Sequence, residues 1–325
     1  MILGIDIAKK KFDVALYEGK SLVSSGQFDN TPAGFKKLSR WLKKKKAGVV
    51  WACMEATGRY GDNLALYLHE AGYRVSVVNP ARIKKYAESK LRRNKTDKLD
   101  AQVIADFCRT QEPALWTPPA PGKRELQEMV RRLNALIKER TRETNRLKSG
   151  ISSEFVKESI KANLEFLNEQ IAKLEEQIPI HVNQYPKLKK ERDLLSSIKG
   201  IGDKTAAILL GELPEIDNFD NVCQVLAYAG VSPSQHESGS SVHKRTKLTK
   251  TGNKNVKTAL YFPALSAIRF NPIVNALALR LKEKGKEKMV IVGAAMRKLL
   301  QLAYGVLKSN QPFDPHYTAK SQSAI

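Results

Sequence analysis

The sequence is poor in the residues that build disulfide frameworks and zinc sites. Its 325 residues include 3 cysteines and 5 histidines. The cysteines, Cys53, Cys108 and Cys223, are odd in number and widely spaced, and no two histidines have the spacing of a ligand pair. This pattern indicates reduced thiols and argues against both a disulfide framework and a zinc site.

Long apolar runs are also lacking. No run approaches the ~18 apolar residues of a membrane helix, and candidates such as Met289–Met296 are far shorter. The N-terminus has Asp6 inside its apolar stretch and no basic lead-in, which argues against a secretory signal. We therefore expect a soluble, cytoplasmic protein with no membrane partner.

Acidic residues are few relative to basic ones. The chain has 33 Asp and Glu against 56 Lys and Arg, and its net charge is +23. Such an excess points to a polyanion partner, most commonly nucleic acid. The basic residues concentrate in two runs, 82–98 and 241–257, whereas we interpret the short run Lys43–Lys46 as a solvated surface. Neither long run has an identifiable base-reading pattern.

The first ~110 residues alternate between strand and helix signals, which is typical of a mixed α/β domain. We predict strands at Ile2–Ile7, Phe12–Tyr17, Leu22–Phe28, Val49–Met54 and Arg74–Val78, and helices at Pro32–Lys45, at Asp62–Ala71 and from about Thr96 to Arg109. The proline-rich stretch 112–122 follows and indicates a linker.

Beyond the linker the chain is predicted to be mostly helical. Apolar residues from Ile160 to Ile178 recur in steps of four and three, as in a coiled coil that forms either a hairpin within the chain or a subunit contact. The turn Gly200-Ile201-Gly202 lies between two predicted helices, as in a helix–hairpin–helix element, and its glycines would let backbone N–H groups approach a phosphate. A plain helix–helix turn is the alternative.

These signals divide the chain into four predicted segments. They are an α/β domain at 1–111, a linker and coiled coil at 112–186, a helical domain at 187–312 and a flexible tail at 313–325. We expect nucleic-acid contacts from the basic runs and the glycine turn, namely Arg92, Arg93, Lys95, Gly200, Gly202, Lys204, Lys244, Arg245, Lys247, Lys250 and Lys254.

Four carboxylates in the first domain suggest a metal site. Asp6 interrupts an apolar strand, Glu55 ends another, and Asp97 and Asp100 share one helix face. If these four carboxylates gather in one site, the repulsion of each pair at ~4 Å would cost about 4 kcal/mol at an effective dielectric of 20. A divalent cation removes this cost, and oxygen-only ligands favour Mg²⁺ or Mn²⁺. The alternative to a metal site is that each residue has a separate structural role, with Asp6 at a strand kink, Glu55 in a loop and Asp97 as a helix cap.

A serine-rich segment, 236–241, precedes the second basic run. A serine hydroxyl that attacks phosphate needs deprotonation or metal polarisation, and His236 and Glu237 are candidate proton carriers by proximity. From the residues alone, a flexible Ser/Gly turn is the plainer interpretation.

The motifs together resemble a known family. Leu3-Gly4-Ile5-Asp6, Glu55-Ala56-Thr57-Gly58, Asn94-Lys95-Thr96-Asp97 with Asp100, Gly200-Ile201-Gly202, and Tyr228 to Pro233 followed by Glu237-Ser238-Gly239-Ser240 stand in this order along nearly the whole chain. This sequence resembles the DEDD transposases of bacterial insertion sequences, which are bridge-RNA-guided recombinases.

The resemblance implies both a fold and a chemistry. It implies a ribonuclease H-like, Holliday-junction-resolvase-like N-terminal domain, a coiled coil and a C-terminal transposase domain. It implies that Asp6, Glu55, Asp97 and Asp100 bind Mg²⁺ and that Ser238 forms a covalent link to DNA. It further implies a nucleoid-associated assembly of dimers into a tetramer, in which a bridge RNA pairs with donor and target DNA.

Other functions stay open from the residues themselves. A metal-dependent Holliday-junction nuclease that cleaves with water needs the carboxylates but not Ser238. A non-catalytic nucleic-acid-binding protein needs only the basic runs and the helices. A sugar-kinase-like ATPase also begins with a Gly-x-Asp strand, but the chain shows no further glycine-rich phosphate loop.

Overall fold

The computed structural model describes residues 1–56, 59–90, 97–238, 242–249 and 251–315, with only the backbone given for Arg59, Asp97, Lys98 and residues 234–238 and 242–247. The chain divides into two compact units, Met1–Pro118 and Pro119–Ile325. The long predicted helices thus belong to the second unit. The four predicted segments and their boundaries stay predictions.

The first unit is a five-stranded mixed sheet with helices on both faces. Its elements are β1 (Ile2–Ile7), β2 (Lys11–Glu18), β3 (Ser21–Asp29), α1 (Pro32–Lys44), β4 (Trp51–Glu55), α2 (Arg59–Glu70), β5 (Arg74–Val78), α3 (Pro80–Ser89) and α4 (Asp97–Gln111). The strand order is β3-β2-β1-β4-β5, with β1 antiparallel to β2 and parallel to β4. The mixed α/β prediction is therefore confirmed.

The two faces of the sheet carry separate apolar clusters. On one face, Leu3, Ile5 and Met54 pack with side chains of α1 and α2. On the other face, Cys53 packs with Ile104 and other residues of α3 and α4. Hydrogen bonding with Cys108 and burial raise the pKa of the Cys53 thiol, so this thiol stays protonated in the core.

Helix α3 is missing from the sequence-based prediction. Asn79 accepts a hydrogen bond from the backbone N–H of Ala81 at 2.9 Å, and Pro80 occupies the first helical position. This is a standard helix start. We interpreted the residues that follow only as part of the basic run 82–98, and the charge pattern concealed the helix.

The second unit is mainly helical. Its elements are α5 (Lys123–Lys148), α6 (Glu154–Gln184), α7 (Pro186–Ser196), α8 (Asp203–Glu212), a short 3₁₀ turn (Ile216–Asn218), α9 (Val222–Tyr228), β6 (Pro233–Ser238), β7 (Val242–Leu248), α10 (Lys254–Ala259), α11 (Tyr261–Phe270), α12 (Pro272–Glu283) and α13 (Lys288–Ser309). The predicted helical character is confirmed, but the prediction lacked the hairpin of β6 and β7.

Helices α5 and α6 run antiparallel and pack against each other within the chain. Near one end of the pair, a ring nitrogen of His181 hydrogen-bonds the Gly122 carbonyl at 2.8 Å, and farther along Arg140 donates to Asn168 at 3.3 Å. Leu167 and Ile171, from the predicted heptad seam, are buried in the same cluster as α5 residues. The seam therefore serves a hairpin within the chain, and its coiled-coil geometry stays a prediction.

Among the described residues, α13 is long and apolar enough to span a membrane by length and composition, and the bent pair of α10–α11 with α12 meets this measure only when taken together. Ala295, Leu299 and Ala303 of α13 are at most 1% exposed within the core of the second unit. Packing within the protein accounts for these apolar residues of the helix, whereas Met289 and Val290 near its start are exposed. The sequence has no uninterrupted apolar run of this length here, because Arg297 and Lys298 lie within the helix.

Candidate active site

Asp6 and Glu55 follow matched positions on two neighbouring parallel strands. Ile5 of β1 pairs with Met54 of β4, and Asp6 and Glu55 are the next residues along each strand. Side chains alternate along a strand, and Ile5 and Met54 both belong to the cluster on the α1–α2 face. Asp6 and Glu55 therefore project to the opposite face, where α3 and α4 pack.

A close approach at Gly4 places α4 over β1. A Cβ on Gly4 would collide with the carbonyl oxygen of Ala101 and the Cβ of Ala105. Only a glycine facing small residues allows this separation. Asp100, which directly precedes Ala101, is half-buried on the same helix. Three of the four predicted carboxylates thus lie on elements that pack at this face of the sheet.

The complete four-carboxylate site stays a prediction. Asp97 is the first residue of α4, but its side chain is outside the described part of the chain. Within that part, no three His, Cys, Asp or Glu side chains lie close enough together to hold a metal ion. The predicted ligands Asp6, Glu55, Asp97 and Asp100 would offer oxygen atoms, which would suit Mg²⁺ or Mn²⁺ rather than zinc.

Asp13 is an acidic neighbour that the sequence-based prediction missed. It pairs directly with Asp6 across the antiparallel strands β1 and β2 and is 5% exposed. The side chain of Gln27 donates to its carboxylate at 3.0 Å, and Lys11 donates to Gln27 at 3.3 Å. Asp13 is a polar residue within an otherwise apolar run of β2, but only the strand register reveals that it lies opposite Asp6.

Ser238 ends a strand. It is the last residue of β6 and pairs with Val242 of β7, so it stands next to residues 239–241, which are outside the described range. His236 and Glu237 also belong to β6. Residues 236–238 of this segment therefore lie in a strand, which the sequence did not predict because β6 and β7 lack apolar alternation, whereas a Ser/Gly turn at 239–241 lies outside the described residues.

The base of this hairpin is held by tight backbone contacts. A Cβ on either Gly230 or Gly252 would collide with the backbone around the other glycine. The backbone N–H of Thr249 donates to the Ser232 carbonyl at 3.0 Å. Close packing of two glycines and a cross-strand hydrogen bond fix where the hairpin leaves the helical core.

The glycine turn between α7 and α8 has a packing role. Gly200 has a φ of +109°, and a Cβ there would lie 2.8 Å from the Cβ of Ala267. Gly202 is exposed at the start of α8, and Lys204 forms an ion pair with Glu175. The positive charge at the turn thus has an acidic partner, and phosphate contact by the turn stays a prediction.

The other basic candidates divide into three groups. Lys244, Arg245 and Lys247 lie on β7, where only the backbone is described. Lys254 is the exposed first residue of α10. Arg92, Arg93, Lys95 and Lys250 lie outside the described residues.

Comparison with known proteins identifies the class. A sequence model of DEDD transposases of the IS110 type matches residues 3–156, and a model described as "Transposase IS116/IS110/IS902 family" matches residues 192–278. The matches cover both the sheet unit and most of the helical unit. The class is that of transposases, enzymes that cleave and rejoin DNA.

Relatives match over almost the full length of the chain. The pilin gene-inverting proteins of Moraxella bovis and Moraxella lacunata are each 34% identical over 320 residues, which cover 96% of this chain and 97% of each relative. A putative transposase of Sinorhizobium fredii is 28% identical over 311 residues, covering 76% of this chain and 77% of that protein. The chain belongs to the IS110 family of transposases.

Proposed function

We propose that this protein is a DNA recombinase of an insertion sequence that cuts and rejoins DNA through a covalent link to Ser238. The observation that carries the proposal is the placement of Asp6 and Glu55 after paired residues of adjacent parallel strands, on the face that α4 covers. Acidic side chains on the face of a sheet, at its centre, suit phosphoryl transfer with bound metal.

Each chemical step exchanges one phosphate ester for another. The Ser238 hydroxyl attacks the phosphorus, an Oγ–P bond forms, and the bond from phosphorus to a deoxyribose oxygen breaks. The serine proton passes to a base, and the released oxygen leaves as a hydroxyl. Since one ester bond replaces another, the reverse reaction rejoins DNA without ATP. His236 and Glu237, which lie beside Ser238 in the sequence of β6, are the candidate bases.

Asp6, Glu55, Asp97 and Asp100 would hold Mg²⁺ or Mn²⁺, in a domain of ribonuclease H-like fold. The bound ion would offset charge on the phosphate oxygens during transfer. The strand register sets the separation of Asp6 from Glu55, and the packing of Ala101 on Gly4 brings Asp100 to the same face.

The names of two relatives favour recombination over simple cleavage as the function of this chain. Both relatives are named for inverting a pilin gene, and inversion requires that cut strands be rejoined. A covalent serine ester retains the bond energy for rejoining, whereas cleavage by water releases it. This contrast favours the serine mechanism over a nuclease.

Sequence choice would come from an RNA. The net charge of +23 supports binding of polyanions, while no base-reading side-chain pattern is evident. In the proposed complex a bridge RNA pairs with donor and target DNA, and dimers assemble into a tetramer. A discrete RNA that co-purifies with the protein and disappears after ribonuclease treatment would support this part of the proposal, and full recombination by RNA-free protein would contradict it.

The test of the serine step is the substitution Ser238→Ala. We expect it to abolish a denaturation-resistant protein–DNA adduct on gels, while Ser240→Ala retains the adduct. An adduct that survives Ser238→Ala would refute the assignment. Cleavage by Ser238→Ala at the normal rate would instead indicate a nuclease that uses water.

A further inference from the structure

A buried carboxylate lies at the end of α8, outside the proposed catalytic groups. The side chain of Glu212 has no exposed surface. Arg131 of α5 binds it with two parallel hydrogen bonds, from Nε to one oxygen at 2.8 Å and from Nη2 to the other at 3.0 Å. A bidentate guanidinium is the strongest partner that a protein offers a carboxylate.

The same two oxygens also bind the segment that follows the hairpin. Asn253 donates to one oxygen at 3.0 Å, and Asn255 donates to the other at 2.7 Å. Each carboxylate oxygen of Glu212 therefore accepts one hydrogen bond from Arg131 and one from an asparagine. Both asparagines lie shortly after β7.

The segment that precedes the hairpin reaches the same residue. The Tyr228 hydroxyl donates to the backbone carbonyl of Glu212 at 3.0 Å, and the Tyr228 carbonyl accepts from the backbone N–H of Asn253 at 2.7 Å. Both ends of the hairpin thus meet at Glu212.

The electrostatics require Glu212 to remain charged. Burial alone would raise the pKa of this carboxyl group, but hydrogen bonds from Arg131, Asn253 and Asn255 outweigh burial and hold the pKa below its ordinary value. Removing the charge would leave a guanidinium and two amide donors around a neutral group. Leaving these buried donors without a charged acceptor destabilises the fold.

We propose that Glu212 is the positioning residue of the serine hairpin. A two-stranded hairpin is marginally stable on its own, so its orientation depends on the attachment of its ends. Glu212 fixes both ends to α5 and α8 and thereby sets the direction in which β6 carries Ser238. The link to catalysis rests on the proposed role of Ser238, whereas the attachment itself does not.

The experiment compares Glu212→Gln with Glu215→Gln as a matched control. Glu215 also has a lowered pKa, since hydrogen bonds and charge from Lys187 and Lys123 outweigh its burial. These lysines donate at 2.6 and 3.1 Å, and neither belongs to the hairpin or its ends. Both substitutions remove one partly or fully buried charge from the same unit.

The first readout is hydrogen–deuterium exchange of the full chain without DNA. In Glu212→Gln we expect peptides from residues 229–256 to exchange about tenfold faster than in the unmodified protein, because their anchoring hydrogen bonds weaken. In Glu215→Gln these peptides keep their rates. Equal effects of the two substitutions on the hairpin would overturn the proposal. If Glu212→Gln does not fold, Asn255→Ala removes a single hydrogen bond and serves in its place.

The second readout is the rate of covalent adduct formation at saturating DNA, measured where circular dichroism shows each variant folded. Misplacing a nucleophile costs about tenfold to a hundredfold. We expect this loss in Glu212→Gln, with DNA affinity unchanged, and a normal rate in Glu215→Gln. Faster hairpin exchange with a normal adduct rate would overturn the positioning role. An adduct that persists in Ser238→Ala would refute the proposed function but leave the exchange result standing.

Discussion

The carboxylate face of the first unit and the serine hairpin of the second are held in place by different means. Asp6 and Glu55 sit on central strands whose register and apolar packing fix them from both sides. The hairpin has two strands, and its attachment depends on polar contacts at its base, above all those of Glu212. The carboxylate face is thus fixed by packing on both sides of its sheet, whereas the orientation of the hairpin depends on the contacts at its base.

The largest expected effect comes from removing a charge from the carboxylate face of the first unit. Asp6→Asn keeps the size of the side chain but removes its charge, so we expect Mg²⁺-dependent strand cleavage to fall on the order of a hundredfold or more. A cleavage assay with Mg²⁺ titration measures this, and Glu18→Gln at the exposed end of β2 is the control. Near-normal cleavage by Asp6→Asn would remove Asp6 from the site.

Gly4→Ala tests whether packing positions α4. The added methyl group collides with the Ala101 carbonyl, so we expect a loss of about 1–3 kcal/mol in the free energy of unfolding, together with slower cleavage. Urea unfolding and cleavage rates measure the two effects. Gly48→Ala has open space around it and should change neither. Unaltered stability in Gly4→Ala would contradict the close approach.

A smaller effect is expected from the basic strand of the hairpin. Replacing Lys244, Arg245 and Lys247 with Gln should lower the dependence of DNA affinity on salt, by about 0.9 log unit per log of salt for each phosphate that the strand no longer neutralises. Fluorescence anisotropy at several salt concentrations measures the slope. The same number of Lys→Gln changes within Lys43–Lys46 should leave it unchanged, and equal slopes in both variants would contradict a specific contact by β7.

Acid should weaken the attachment of the hairpin through Glu212. The folded-state pKa of Glu212 is held below its ordinary value, so its charge stabilises the fold above the unfolded pKa of about 4.3 and this contribution disappears as the pH falls through the lower, folded value. We expect the difference in melting temperature between the unmodified protein and Glu212→Gln to shrink below that range. A difference that stays constant with pH would show that the charge is not responsible.

The sequence revealed the parts of the fold that depend on local pattern. Continuous apolar stretches predicted β1, β4 and β5, because a buried strand needs apolar residues on both faces. Thr31 and Pro32 predicted the start of α1, where Thr31 caps Gly34 at 3.2 Å. The order of the acidic motifs also predicted which strands carry the candidate metal ligands.

What the sequence concealed depends on contacts between distant residues. Asp13 is inconspicuous until the strand register places it opposite Asp6. The hairpin carries polar and basic residues, so it has no apolar alternation. Glu212 follows an apolar helical segment, and its asparagine partners are about 40 residues further along the chain. No local pattern could connect them.

The most direct test of the whole account is to identify the residue that becomes attached to DNA. The protein as purified is incubated with Mg²⁺ and a DNA substrate that traps the intermediate, then digested with protease and nuclease and analysed by mass spectrometry. The account predicts a nucleotide on the peptide that contains Ser238. Cleaved DNA with no nucleotide on any peptide, or a nucleotide on another residue, would contradict it.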